Sequence, residues 1–231
     1  MINLKNRIKA ILFDIGGPID SEIHNDKLLK LHFKEEFSKH NITISSADIE
    51  NCMERSIINF DKNIYLSLCE NFSNDNDHIK KSVYKNILLR SKERDLKRNA
   101  PEISDDVIEV LKYLSKYYKL GVVANQTLNA LKLLKNSGIN KYFDNFEVSD
   151  SIGFEKPDKR IFLHVMNILE VSSEECIMIG DRIDNDIIPA NKLNIFSIRI
   201  KNGKFIHQIP REVSEKPKYE IDNLLDLKNI L

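Results

Sequence analysis

From about Asn25 to Arg98 the chain has neither glycine nor proline. A stretch that long without the two strongest chain breakers excludes closely spaced strands and tight turns, and leaves helices joined by polar loops. Cysteine is scarce: Cys52, Cys69 and Cys176 lie far apart with no CxxC spacing. That excludes a disulfide framework and a cysteine zinc site, and fits free thiols in a reducing compartment. Charge of one sign is missing too. Lysine plus arginine and aspartate plus glutamate number 35 each, so no global field favours nucleic acid or an acidic surface. No apolar run approaches the length needed to cross a bilayer, and residues 1–5 lack the apolar centre of a signal peptide. The expectation is a soluble cytoplasmic protein, with neither membrane nor nucleic acid as partner. Its 231 residues are enough for one domain with a proper core and a smaller companion.

Inside the breaker-free stretch, apolar residues recur at helical spacing. Leu28, Leu31, Phe33 and Phe37 make one face; Ile49, Met53, Ile57 and Phe60 make a second. Ile79, Val83, Ile87 and Leu88 make a third, after a polar turn in which Asp75 or Asp77 would cap the helix. Ser45-Ser46-Ala47-Asp48 is the start signal of the second helix. Residues 21–98 are therefore expected to form an all-helical block.

Either side of the block the pattern changes. Ala10-Ile11-Leu12-Phe13 is too short for a helix and is followed by Gly16-Gly17-Pro18, so it reads as a buried strand. After Pro101, strands at Leu120–Ala124, Phe146–Val148, Cys176–Ile179, Ile195–Arg199 and Tyr219–Ile221 alternate with helices. Those helices run through Val107 and Leu114, through Leu128 and Leu134, from Pro157 to Leu169, from about Asn185 to Leu193, and through Leu224 and Leu227. Such alternation gives an α/β fold with a parallel sheet. Residues 1–20 and 99–231 must share that sheet, with residues 21–98 as an insertion.

Several strands end on polar residues: Asp14 after the first, Asn125 after Ala124, and Asp181 after Gly180. In an open parallel sheet these positions cluster at one edge, where ligands bind. Two carboxylates facing each other there repel unless a cation lies between them, and oxygen-only ligands with open positions suit magnesium. Asp186 would hold a metal-bound water or position the loop. Lys156 would bring an ammonium to the same edge. Gly16 and Gly17 would let backbone approach whatever Asp14 touches. The plain alternatives are a helix cap for Asp181, a solvated lysine, and acids matched to a helix dipole at Asp184 and Asp186.

The segments Phe13-Asp14-Ile15-Gly16-Gly17, Val122-Val123-Ala124-Asn125, Lys156-Pro157 and Gly180-Asp181-Arg182-Ile183-Asp184-Asn185-Asp186 together resemble the haloacid dehalogenase superfamily, in its branch with a helical cap after the first motif. The resemblance implies a Rossmann-like core with helices on both faces, residues 21–98 as the cap, and Asp14 as a nucleophile that forms an aspartyl-phosphate. It implies magnesium held by Asp14, the Gly16 carbonyl, Asp181 and Asp186, with Lys156 steadying nucleophile and phosphoryl group. Phosphoryl binding would fall to Gly17, Ala124, Asn125 and Lys156. The partner implied is a small phosphorylated metabolite, and the chain a monomer or homodimer.

Two departures stand out. Gly16 occupies the place of the family's usual acid-base aspartate, and Ala124 that of a phosphate-binding hydroxyl. Three readings follow: a magnesium-dependent phosphatase, a metal-independent dehalogenase of small haloacids, and a phosphoryl-binding or interaction protein without catalysis.

Overall fold

The computed structural model describes residues 7–231; residues 1–5, whose composition was read above, lie outside them. The chain divides into two compact units, one comprising residues up to Ser21 together with Asn99–Leu231, the other Glu22–Arg98.

The first unit is built on five parallel strands, β1 (Ala10–Phe13), β2 (Lys119–Val122), β3 (Cys176–Gly180), β4 (Phe196–Ile200) and β5 (Tyr219–Ile221), in the order β2-β1-β3-β4-β5. Alternate residues of β1 feed two cores. Ile11 and Phe13 pack on one face with Leu111, Leu114 and Leu134, while Ala10 and Leu12 pack on the other with Ile161, Val165 and Leu169. Each fully buried side chain of this kind contributes about 1.5–3 kcal/mol. The chain runs from β1 to β2 on one side and then crosses to β3 on the other. The gap between β1 and β3 is thus a topological switch point, where the loops diverge and leave a crevice.

The strand expected at Phe146–Val148 is absent. A single parallel bridge pairs Gly121 with Asn145, and the segment then turns into a short helix, Ser149–Ile152. Asn145, a polar residue that is itself buried, makes that bridge and donates its side-chain amide to Glu147 at 3.0 Å. Pro157 does not open the next helix. The Lys156–Pro157 peptide is cis, and the helix is Lys159–Leu169, capped by the Asp158 carboxylate accepting from the Arg160 N–H at 2.8 Å. The helix expected from Asn185 begins instead as a wide π-helical turn, Ile183–Ile187, before a short α-helix, Ile188–Lys192. Pro189 has no N–H to give to the turn before it.

The second unit holds four helices among the described residues: α1 (Ile23–Ser38), α2 (Ser46–Ile58), α3 (Ile64–Phe72) and α4 (Asp77–Lys97). Ser45 and Asp48 form the capping box that starts α2. Sequence reading missed α3, whose nine residues are too few to show a period; Asn63 caps it by accepting from the Leu66 N–H. The cap of α4 is Asn76, not Asp75 or Asp77. On α1 the buried face is Leu29, Phe33 and Phe37, with Leu31 exposed, because apolar residues surround that turn and packing had to choose among them. On α4, Val83 and Ile87 are buried and Leu88 exposed; Phe60 lies beyond the end of α2.

Candidate active site

At the end of β1 the Asp14 N–H still bonds to the Ile179 carbonyl at 2.9 Å, so the side chain leaves the sheet at the crevice between β1 and β3. Its Oδ1 accepts from the Ile15 N–H at 2.7 Å and from the Lys156 ammonium at 2.8 Å. Among the described residues its Oδ2 has no hydrogen-bond partner.

Lys156 is almost wholly buried, and its ammonium also reaches Asp186 Oδ1 at 2.6 Å. Burial alone would lower its pKa, but Asp14 and Asp186 more than reverse this, so it stays charged. Asn125 fixes the lysine's backbone from both sides. Its Oδ1 accepts from the Lys156 N–H at 2.6 Å, and its Nδ2 donates to the Lys156 carbonyl at 2.9 Å. The amide foreseen as a phosphoryl ligand is thus occupied in holding Lys156. The Ala124 methyl lies in the apolar core, and its carbonyl accepts from the Ser149 N–H, so this residue has only main chain to offer a ligand.

The turn after Asp14 folds back on itself. The Gly17 N–H donates to the Asp20 carbonyl at 2.8 Å, and the Asp20 N–H donates to the Ile15 carbonyl at 2.8 Å. The positive backbone angle belongs to Gly17 (φ 90°), not to Gly16. A Cβ on Gly17 would stand 2.5 Å from Asp181 Oδ2, so glycine is required there twice over. The Asp20 carboxylate accepts from the Glu102 N–H at 3.0 Å, and the Ser21 N–H bonds to the Glu102 carbonyl, which staples the outgoing and returning chains together.

Asp181 and Asp186 follow β3. Asp186 accepts from the Arg182 N–H at 3.0 Å within the π-helical turn. A Cβ on Gly180 would lie 2.3 Å from the Asp186 carboxylate, so the strand must end in glycine for that acid to tuck beneath it. Asp184, which the sequence suggested only as an acid matched to a helix dipole, points away into a pair with Arg182 at 2.6 Å. Asp14, Asp181 and Asp186 bring one carboxylate oxygen each to within 4.8 Å of one another. Asp181 Oδ1 is buried without a hydrogen-bond partner among the described residues. Burial, then repulsion from Asp14 and Asp186, pushes the Asp181 pKa well up; burial likewise raises Asp186 to about 6 despite Lys156.

Two residues that sequence reading passed over support this loop. Arg199, on β4, donates to the Asp181 carbonyl at 3.3 Å. Gln208 accepts from the Ile183 N–H at 2.7 Å and donates to Asp184 at 3.1 Å. A charged residue between two isoleucines of a buried strand was the available signal for Arg199; nothing in the sequence marked Gln208.

The comparison that decides the family is a match of its model, that of haloacid dehalogenase-like hydrolases, to residues 11–200. The chain belongs to this family. Among hydrolases similar to it, the glyceraldehyde 3-phosphate phosphatase of Methanopyrus kandleri is 34% identical over 128 residues, 54% of this chain and 55% of its own. This chain thus spans about half the length of that relative. A protein of Clostridium perfringens, provisionally assigned as the pyrophosphatase PpaX, is 34% identical over 179 residues, 75% of each chain. The magnesium-bound structure of the provisionally assigned HAD-hydrolase YfnB of Bacillus subtilis superposes with a TM-score of 0.68 at 20% identity, covering 97% of this chain and 99% of that one. The last likeness is one of fold. No helix among the described residues is long and apolar enough to cross a membrane.

Proposed function

We propose that the chain is a magnesium-dependent phosphatase of small phosphate monoesters that works through an aspartyl-phosphate on Asp14. One observation carries the reading: Lys156 and the Ile15 N–H hold one oxygen of Asp14 and leave the other unengaged, in a cluster where Asp14, Asp181 and Asp186 each bring an oxygen to within 4.8 Å of one another and Asp181 keeps a buried, unpartnered oxygen.

The donor set fits the metal. Three carboxylates against one ammonium leave two negative charges uncompensated, the charge of one divalent cation. Oxygen donors suit a hard ion, and Asp181 lacks the partner that a buried carboxylate otherwise needs. Asp14, Asp181 and the Gly16 carbonyl would hold the ion, with Asp186 in support. Bound there, it would neutralise charge and polarise a phosphoryl oxygen.

The protein's own groups do the rest. Lys156 fixes the direction of Asp14 and neutralises charge on the phosphoryl group as Oδ2 attacks phosphorus. The phosphorus–ester oxygen bond breaks, and the leaving oxygen must take up a proton. Water then attacks the acyl phosphate, releasing phosphate and restoring the carboxylate. Gly16 brings no proton donor, so esters with acidic leaving groups are favoured. Residues 22–98 are the cap of this enzyme and select the substrate, a small phosphorylated metabolite; the working compartment is the cytoplasm.

The test is hydrolysis of a panel of sugar, nucleotide, short-acid and aryl phosphates, with and without magnesium, beside Asp14→Asn. Metal-dependent phosphate release lost in the variant supports the reading. Turnover of haloacids without metal would replace it with the dehalogenase reading, and binding of phosphates without turnover with the non-catalytic one.

A further inference from the structure

Arg199 is 2% exposed, and in the register of the sheet it stands opposite Gly180, one residue before Asp181. Taking a guanidinium out of water is costly unless its N–H groups are all used. Here they are spent almost wholly on main chain. Nε donates to the Asp181 carbonyl at 3.3 Å, and Nη2 to the Phe205 and Ile206 carbonyls at 2.8 and 3.3 Å. Nη1 lies 3.5 Å from the half-exposed Glu220 carboxylate.

Asp181 is unlike its two acidic neighbours in how it is held. Asp14 and Asp186 each have a carboxylate fixed by Lys156 and a backbone N–H. The Asp181 carboxylate accepts no hydrogen bond among the described residues; one oxygen is buried bare and the other packs against Gly17. Its direction is therefore set through its backbone. A carboxylate oxygen sits about 3 Å from its Cα, and a tilt of about 20° there moves it by about 1 Å, beyond what magnesium's rigid octahedral geometry tolerates.

We infer that Arg199 is a positioning residue for the metal site, aiming Asp181 by anchoring its carbonyl while tying the 205–206 segment to the same point. This rests on the reading of Asp181 as a magnesium ligand. A purely structural arginine would stabilise the loop and leave metal affinity alone.

The experiment titrates the full chain with magnesium alone, by calorimetry, for wild type, Arg199→Met, Arg199→Lys, Glu220→Gln and Asp181→Asn, with near-ultraviolet circular dichroism to show that each is folded. Arg199→Met is expected to weaken magnesium binding about tenfold, as losses of ligand-orienting partners do. Arg199→Lys should fall in between, since an ammonium lacks the fork that spans three carbonyls. Glu220→Gln, which spares the contact with Asp181, should stay within twofold of wild type. Folded Arg199→Met with magnesium affinity within twofold of wild type overturns the inference; should that variant fail to fold, the same threshold applied to Arg199→Lys decides. An equal loss in Glu220→Gln also overturns it, by showing a general effect of charge. Binding retained in Asp181→Asn sinks the metal-site reading itself, an outcome distinct from failure of Arg199 alone.

Discussion

Two of the protein's buried acidic side chains, Glu36 and Asp181, are treated in opposite ways. In the helical unit Glu36 is 2% exposed, yet every oxygen is served: Oε1 accepts from Lys39 at 2.7 Å and Arg90 at 3.0 Å, and Oε2 from Asn86 at 2.9 Å. Burial works to raise its pKa, but these partners more than reverse that, and the carboxyl is held below its ordinary value. In the sheet unit Asp181 is as deeply buried, has no such partners, and is pushed the other way. Folding alone would select the first arrangement. The second is unfavourable to the isolated chain and is retained where a ligand supplies what is missing.

The sharpest way to break this contrast is at Asp14. Asp14→Asn should lower phosphate-ester hydrolysis by more than about a thousandfold, the scale set by losing a nucleophile, with the fold intact. Steady-state rates together with a thermal melt check it, and a rate near wild type would strip the crevice of its chemistry. Next comes Gly16→Asp. The left-handed angle lies at Gly17, so a side chain at 16 meets no left-handed strain. A restored acid should speed alkyl phosphates by up to about a hundredfold and aryl phosphates far less. Equal gains on both would mean that proton donation was never limiting.

Smaller effects probe the charges as stability terms. Asp181→Asn should abolish magnesium binding yet raise metal-free stability by about 1 kcal/mol, since it relieves like-charge repulsion in a buried site. Glu36→Gln should do the reverse, lowering urea stability by about 2 kcal/mol while leaving magnesium affinity unchanged. The pH dependence gives its sign. A carboxyl whose folded pKa lies below its unfolded value near 4.5 contributes stability that is present above that value and fades as pH falls through the folded one. The gap between wild type and Glu36→Gln should therefore be full at neutral pH and close in acid. A gap that widens in acid would contradict the pairing.

What was legible in the sequence follows the range of the forces involved. Asp14 and Asp181 could be placed because a short apolar run, a polar residue and glycines are all local, and sheet topology then brings strand ends together. The Asn125 clamp on Lys156 was not legible, because it depends on a backbone 31 residues away presenting both its N–H and its carbonyl. The Phe146–Val148 segment carries an apolar pattern adequate for a strand, yet only Asn145 just before it bridges to β2 and the chain then enters the helix Ser149–Ile152. In the helical unit, capping residues located α2 correctly, whereas α3 was too short for its period to register.

Where β1 sits in the sheet has a consequence for how the chain is made. Ala10 pairs with Lys119, more than a hundred residues later, and with Cys176, later still. At about 5–20 residues per second, this interior strand waits several seconds or more on the ribosome before either neighbour exists. Through that interval four apolar residues, Ala10 to Phe13, have no edge to join. Meanwhile residues 22–98 complete a core of their own, drawn wholly from within that stretch. The insertion can therefore finish its own core before the sheet that it interrupts can form. Closing so large a loop adds only slowly to the entropic cost. The burden of the long insertion falls on the timing of synthesis far more than on the stability of the finished sheet.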